Sequence, residues 1–410
     1  MAQKLKFGNG TWATKKGSTL AYNDENNNYK PLPFSFTRDS IATRVNKEGL
    51  IEVVGNNKPR IDYKDSAEGV FLLEKASTNL LTHSSELTNS SWVKTNTGTG
   101  SAPSITSNYS ISPDGTQNAD RVIFNLNGGT ANGDISQVSV TIGSVSSASY
   151  TNSVYIKSNT ANNYDLVVTD PSGGHIIKNI STEWQRFDNP RENVTNASFR
   201  IRLRGDEGTS DYADVSIWGA QLEQQSFVTS LINTSGSTVQ RAADTANGAG
   251  NSEVFNDSEG VLFADIAANA NDGTERELCI NDSSTSNRVA VRYRDSNDDI
   301  RAIVRSSGVN TLNVTIGVGS VLLYNKVALK YKVNDFAFWI NGFEVATDTS
   351  GAAPSGLDVI SFNDGSSSDF YGKTKEISYY DEILTDLELE YMTSYRSLNE
   401  LVTELNLNTL

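Results

Sequence analysis

Three carboxylates alternate at Asp386-Leu-Glu388-Leu-Glu390. On a strand, that spacing would hang acids over one groove, as glycan hydrolysis requires of its acid and its nucleophile or base. Thr385 precedes them in a capping-box-like start, so a short helix is expected over 387–395, carrying the acids on a solvated face. The two histidines, His83 and His175, have no serine or cysteine constellation around them. With the single cysteine, Cys279, they are too few for a Cys/His metal site. Cys279 lies in Glu277-Leu-Cys-Ile and is expected in a buried strand, as a small hydrophobe. One cysteine excludes an intrachain disulfide. No phosphate loop or dinucleotide fingerprint occurs. No catalytic residue is assigned and no enzyme activity is expected.

Two kinds of binding chemistry remain. Oxygen-rich loops at Asp295/Asp298/Asp299, Asp364/Asp369 and Asp206/Asp211/Asp214 suit calcium, although turns favour aspartate in any case. Asp295, Asp298, Asp364 and Asp369 are the calcium candidates, and no other cofactor is expected. Aromatic rings bind sugars by stacking on their C–H faces. Trp92, Trp184, Tyr164 and Tyr212 are the candidates for glycan binding. The tryptophans read first as core residues, whereas the tyrosines lie beside loops.

Those residues need a scaffold, and composition points to strands. The chain has 410 residues, too many for one ordinary core, so two domains and an extension are expected. Hydrophobic residues make up 37%, enough to bury cores. Abundant Asn, Ser, Thr and Gly favour short strands joined by polar turns. A net charge of −15 argues against nucleic acid or anionic lipid as the main partner. No stretch approaches membrane-spanning length, so no membrane insertion is expected. Lys4, Lys6, Lys15 and Lys16 are followed by no apolar run, so no signal peptide is read.

Residues 1–58 hold Leu5, Phe7, Trp12, Leu20 and Tyr22 scattered among polar residues, with a hairpin turning at Asn46–Gly49. This segment buries too little to fold alone. It is expected to pack on neighbouring subunits or a particle, or to run as a strap along its own domain. Residues 59–232 carry about eight alternating strands and no helix signal, a two-sheet jelly roll. Trp218 is expected in its core. Residues 233–250, rich in Asn, Ser, Thr, Gly and Ala, are expected to be a linker with few contacts. Residues 251–395 form a second sandwich. There Arg288-Val-Ala-Val-Arg-Tyr-Arg and Ile300-Arg-Ala-Ile-Val-Arg make a hairpin, apolar on one face and arginine-bearing on the other. Asn341-Gly342 signals a type I′ turn, and Trp339 is expected in the second core. Residues 396–410 are a tail, helical or added to a subunit contact. The fold class is all-β: two tandem β-sandwiches with a short C-terminal helix.

Trp218-Gly-Ala-Gln-Leu-Glu223, Thr229-Ser-Leu-Ile232 and Val239-Gln-Arg-Ala-Ala-Asp244 resemble a phrase that recurs in head-fibre, tail-fibre and other appendage proteins of tailed bacteriophages. There it closes a carbohydrate-binding-module-like jelly roll. This chain has Leu231-Ile-Asn-Thr234 where the usual wording is Tyr-Ile-Pro-Thr. Residues 56–81 resemble the entry to the same jelly roll, with Glu74-Lys75 in place of the usual Glu-Pro. Residues 364–393 resemble the closing strand and helix of a laminin-G/concanavalin-A-like domain. The resemblance implies a virion structural protein, a head or tail fibre or decoration appendage, with lectin-like domains for attachment to host-surface glycans. The alternative is a glycan-active enzyme or its accessory module. Expected partners are other copies of the chain, as a homotrimer, and other virion proteins through residues 1–58, with host glycans a further partner. The expected location is the virion, assembled in the host cytoplasm.

Overall fold

The computed structural model describes residues 3–20, 31–294, 297–365, 368–405 and 407. The chain is all-β, 53% strand and 4% helix, with its two helices at the C-terminal end. It divides into two compact units. The first comprises Met1–Asp39, Val54–Lys75 and Ala243–Leu410; the second comprises Ser40–Val53 and Ala76–Ala242.

The first unit is built on two antiparallel sheets. One runs in the order Phe343–Asp348, Phe336–Ile340, Asn325–Lys332, Glu259–Ala268, Gly372–Tyr380, Val70–Leu72, Ile61–Asp62. Gln3–Gly8 also pairs with Gly372–Tyr380. The other runs Val309–Gly317, Asp299–Ser306, Arg288–Arg294, Arg276–Asn281, Val359–Ser361. Alternation decides what faces the core. Leu262, Ala264 and Ile266 from one sheet meet Leu278, Ile280, Val289 and Val291 from the other in one buried cluster. Val261 and Phe263, on the opposite face, are covered with Trp339 by Leu384 and by Leu389 of the helix Asp386–Thr393. Trp339 is therefore buried under a helix rather than between sheets. The Asn341-Gly342 turn has φ +50° and +89°, as a type I′ turn requires.

In the second unit one sheet runs Ser101–Ile111, Gln117–Asn125, Tyr212–Glu223, Ile135–Ser158, Gln185–Arg204, Tyr164–Val168, Ile177–Ile180, with Val93–Thr97 also on Ile135–Ser158. The two longest strands pair along their length, with register shifts between Thr141 and Tyr150. Such irregularities bend a ladder, and residues from both halves of each strand enter one core. Val138 and Val154 come from one strand and Val194 and Ile201 from the other. Trp218 is buried, but on the outer face of this sheet. It packs with Ile51, Ala119 and Leu231 beneath the hairpin Ala42–Val45 and Ile51–Val54. Gly219 beside it has φ +63°, and a Cβ there would lie 3.2 Å from Tyr155 and 3.3 Å from Leu231. Gly219→Ala is expected to lower stability by roughly 1–2 kcal/mol. An unchanged denaturation midpoint would contradict that.

Three sequence expectations are corrected. Residues 1–58 are not a separate attachment segment. Gln3–Gly8 and Phe34–Thr37 are strands of the first unit, and residues 42–53 supply the hairpin of the second. Leu5 and Phe7 sit in the first unit's core and Trp12 packs against it, so these residues need no partner subunit to cover them; Tyr22 lies outside the described residues. The jelly roll does not begin at residue 59, because Val70–Leu72 belongs to the first unit's sheet. Residues 233–250 are not a contact-poor linker. Val239–Arg241 pairs with Ser77–Asn79, and Thr245–Asn247 pairs with Phe34–Thr37. In the tail, Leu398–Glu404 is helical. No helix among the described residues is long and apolar enough to cross a membrane.

Candidate glycan-binding face

Tyr212–Glu223 alternates inward Ala213, Val215 and Ile217 with outward Tyr212, Asp214 and Ser216. The neighbouring strand aligns Arg121 with Ser216 and Ile123 with Asp214. Arg121 grips Asp214 through two donors, Nε at 2.8 Å and Nη2. Its guanidinium lies 4.9 Å from the centre of the Tyr109 ring. Asn159 donates to Asp214 at 2.9 Å and accepts from Ser216, which in turn accepts from Ser110. Burial would raise the Asp214 carboxyl. The hydrogen bonds from Arg121 and Asn159, with the guanidinium charge, bring it below its ordinary range instead. The pair therefore stays ionised and fixed between two open rings, Tyr109 at 44% exposure and Tyr212 at 39%. Lys157 pairs with Ser216 across the sheet and places its ammonium 5.3 Å from the centre of the Trp184 ring. A strip of rings, charges and hydroxyls thus runs along one sheet face from Tyr212 to Trp184.

The four sequence candidates divide. Tyr212 is open. Trp184 is half-buried, with its indole N–H held by the Ile111 carbonyl at 3.0 Å. Tyr164 is only 6% exposed, its ring edge-on to Tyr212 and its hydroxyl 2.8 Å from Thr160; it supports the platform rather than forming it. Trp92 is 1% exposed, edge-to-face with Phe199 and donating to the His83 carbonyl, so it is a core residue and not a sugar platform. Sequence reasoning missed Tyr109, Arg121 and Asn159, and named Asp214 only in a calcium loop with Asp206 and Asp211. Period-two alternation places Asp214 beside Tyr212 on one face, but no local signal joins them to Tyr109 and Arg121 on other strands.

The remaining candidates are committed elsewhere. Asp298 accepts from the Val321 amide; Asp364 accepts from the Ser368 amide and lies 3.6 Å from Arg292; Asp369 accepts from the Tyr371 hydroxyl. Asp295 lies outside the described residues. No cluster of three or more metal-ligating side chains occurs among the described residues. Asp386, Glu388 and Glu390 fall on the helix Asp386–Thr393, with Glu388 closing its capping box. Cys279 is fully buried and burial pushes its thiol up, the reverse of a nucleophile's need. His175 is exposed and contacts Glu207, Arg202 and Arg204.

Within 218–244, the polar residues Gln221, Glu223 and Arg241 turn inward. Gln221 accepts from the Ile232 amide at 2.6 Å, and Glu223 accepts from Ser77 and from the amide and hydroxyl of Thr229. Asn79 bridges the Leu222 amide and the Ala220 and Ile232 carbonyls. Arg241 donates to Thr229 and Ser230. These groups close the second unit and contact no open surface.

No protein-family profile matches the chain, and no curated protein matches it. Solved structures give faint likenesses. A leech intramolecular trans-sialidase complexed with 2,7-anhydro-Neu5Ac is 19% identical over 35% of this chain and 24% of its own, with a TM-score of 0.29. This chain therefore spans about a quarter of that enzyme. The CBM22-1–CBM22-2 tandem domain of Paenibacillus barcinonensis Xyn10C is 11% identical over 75% of this chain and 99% of its own, with a TM-score of 0.26. Domains LG4-5 of the mouse laminin α1 chain are 9% identical over 70% and 90%, with a TM-score of 0.25. Likeness this low carries no inference about ligand.

Proposed function

We propose that this is a non-catalytic, lectin-like protein whose second unit holds glycans on the Tyr109–Arg121–Asp214–Tyr212 face. The observation behind this reading is the ionised Arg121–Asp214 pair fixed between two exposed tyrosine rings. Such a face offers C–H stacking and directed hydrogen bonds to hydroxyls together. The phage-like phrase at 218–244 supports a finer reading, a head or tail appendage of a tailed bacteriophage that meets host-surface glycans. Immunogold labelling of intact particles tests that finer reading, and absence of label from virions would remove it.

The binding reading is tested on an array of bacterial surface polysaccharides. Tyr109→Ala and Tyr212→Ala are each expected to weaken retention of a bound glycan roughly tenfold, about 1.4 kcal/mol. Both rings are exposed, so the denaturation midpoint should hold. Retention of no glycan, or retention indifferent to both substitutions, overturns the proposal. Release of reducing ends would favour the enzyme reading instead.

A further inference from the structure

The five-stranded sheet of the first unit turns one face to its core and sets five arginines on the other, with Arg294 opposite Asp299. Arg292 stands directly opposite Arg301, and Arg288 directly opposite Arg305. Between these two rows lies a buried apolar floor of Cys279, Ala290 and Ile303. Like charges placed opposite one another across strands oppose folding. The chain carries 34 basic residues against 49 acidic ones, so a clustered cationic face runs against its composition.

Neutralisation is one-sided. Glu277 lies 3.1 Å from Arg288 and 2.5 Å from Arg292, and Glu275 and Asp364 also pair with Arg292. These acids serve the inner pair, each 7% exposed. Even so, Nε of Arg288 is buried without a hydrogen-bond acceptor, and Nη1 meets Glu277. No carboxylate lies within ion-pair distance of the outer pair among the described residues, and Glu275 acts on Arg301 from farther away. Arg301 donates Nε to Asn313 at 2.6 Å, and Arg305 donates to the Gly308 and Thr285 carbonyls. Burial, then the charges of Arg294 and Arg292, push Arg301 down, as expected where positive charge is in surplus. The adjoining strand exposes Asn310, Asn313 and Thr315 beside this pair.

We propose that this face binds an acidic polysaccharide along the Asp299–Ser306 strand, with Arg301 and Arg305 taking carboxylate or sulfate groups. Arg301 and Arg305 are four strand residues apart, about 13 Å between their Cα atoms. No single small anion spans that distance, whereas charges repeated along a sugar chain do. Asn310, Asn313 and Thr315 supply partners for hydroxyls. A nucleic acid fits less well. Its charges are far denser, and this face presents no ring for a base to stack on among the described residues. The proposal rests on the arginine array alone and stands whether or not the tyrosine face binds sugars.

The full chain is measured by interferometry against immobilised polygalacturonate, dextran sulfate, neutral dextran and duplex DNA. Binding is expected to at least one of the two acidic polysaccharides, weakening with added salt, and not to neutral dextran. Which of the two binds separates carboxylate from sulfate. Arg301→Gln with Arg305→Gln is expected to weaken that binding at least tenfold. Lys16→Gln, which removes an exposed cation outside this sheet, leaves it unchanged. Removing opposed like charges should keep or raise the denaturation midpoint, so lost binding cannot be assigned to unfolding. Failure to bind either acidic polysaccharide, indifference to the double substitution, or equal affinity for duplex DNA overturns the proposal.

Discussion

Replacing Asp244 with alanine is expected to destabilise the first unit by about 3–5 kcal/mol, the effect of stranding buried charge. Asp244 is fully buried and takes three donors. Arg38 reaches Oδ1 at 3.1 Å, while Arg60 and the Glu74 amide reach Oδ2. Its own amide returns a bond to the Glu74 carbonyl, and the Glu74 carboxylate takes Arg60 at 2.7 Å. Arg38 is tied further to the Val54 and Gly55 carbonyls. Burial would lower Arg60, but the charges of Asp244 and Glu74 overcome it and raise it. Two buried guanidiniums thus share two buried carboxylates. Among the described residues, alanine at 244 leaves the Glu74 carboxylate to face both buried cations. The control is Glu259→Ala, which removes a half-exposed ion pair with Lys332 and is expected to change stability by less than about 1 kcal/mol. Denaturant titration of the full chain measures both. A loss at Asp244 no larger than that at Glu259 would show that water enters the network.

The Asp244 network marks where sequence reading fails. Asp244 lies within residues 233–250, a run rich in Asn, Ser, Thr, Gly and Ala that looks like a linker because no apolar period runs through it. Three-residue strands such as Val239–Arg241 and Thr245–Asn247 are too short to show a period, and what buries this stretch is polar. The N-terminal strands fail for a related reason. Leu5 and Phe7 are plainly apolar, but their strand pairs with Gly372–Tyr380, more than 360 residues away, and no local signal names that partner. What was legible was local. The hairpin at Asn46–Gly49, the Asn341-Gly342 turn, the capping box at Thr385 and the two faces of Arg288–Arg294 each follow from a few adjacent side chains. At the candidate site the same division holds. Tyr212 was visible beside a loop. Trp92 was a reasonable ring to choose, but its N–H has a carbonyl to meet and its edge has Phe199. Arg121 and Tyr109 needed the sheet order before they could be placed beside Asp214.

Stability of the first unit is expected to carry a pH term from Asp265 that runs against the usual carboxylate direction. Asp265 lies on the face of its strand away from the core, aligned with Lys326 on one neighbour and Glu376 on the other. It is buried, and its Oδ1 meets no donor. Lys326 and Lys375 stand near enough to favour its charge, but both are drawn to the helix Leu398–Glu404. Lys326 pairs with Glu400, and Lys375 pairs with Glu404 at 2.5 Å. Tyr395 and Tyr324 offer their rings to the same lysines. Burial therefore prevails over the lysines, and with smaller contributions from Glu404 and Glu376 it pushes the Asp265 carboxyl up to about 6. The unfolded chain releases this proton near 3.8, so between that pH and about 6 the native state holds the extra proton. Stability from this group is complete below pH 4 and declines as pH rises through 6, by about 3 kcal/mol in all. Asp272, held down to about 2 by Arg276 against the effect of burial, works in the opposite sense at lower pH, so the wild-type profile alone mixes the two. The difference between wild type and Asp265→Asn isolates Asp265. The amide keeps the shape and cannot ionise. At pH 7.5 the variant should be the more stable by about 3 kcal/mol, and at pH 4 the two should unfold at nearly the same denaturant concentration. A difference that stays constant across that range would mean that Asp265 titrates as an ordinary carboxylate, reached by water or by one of its lysines.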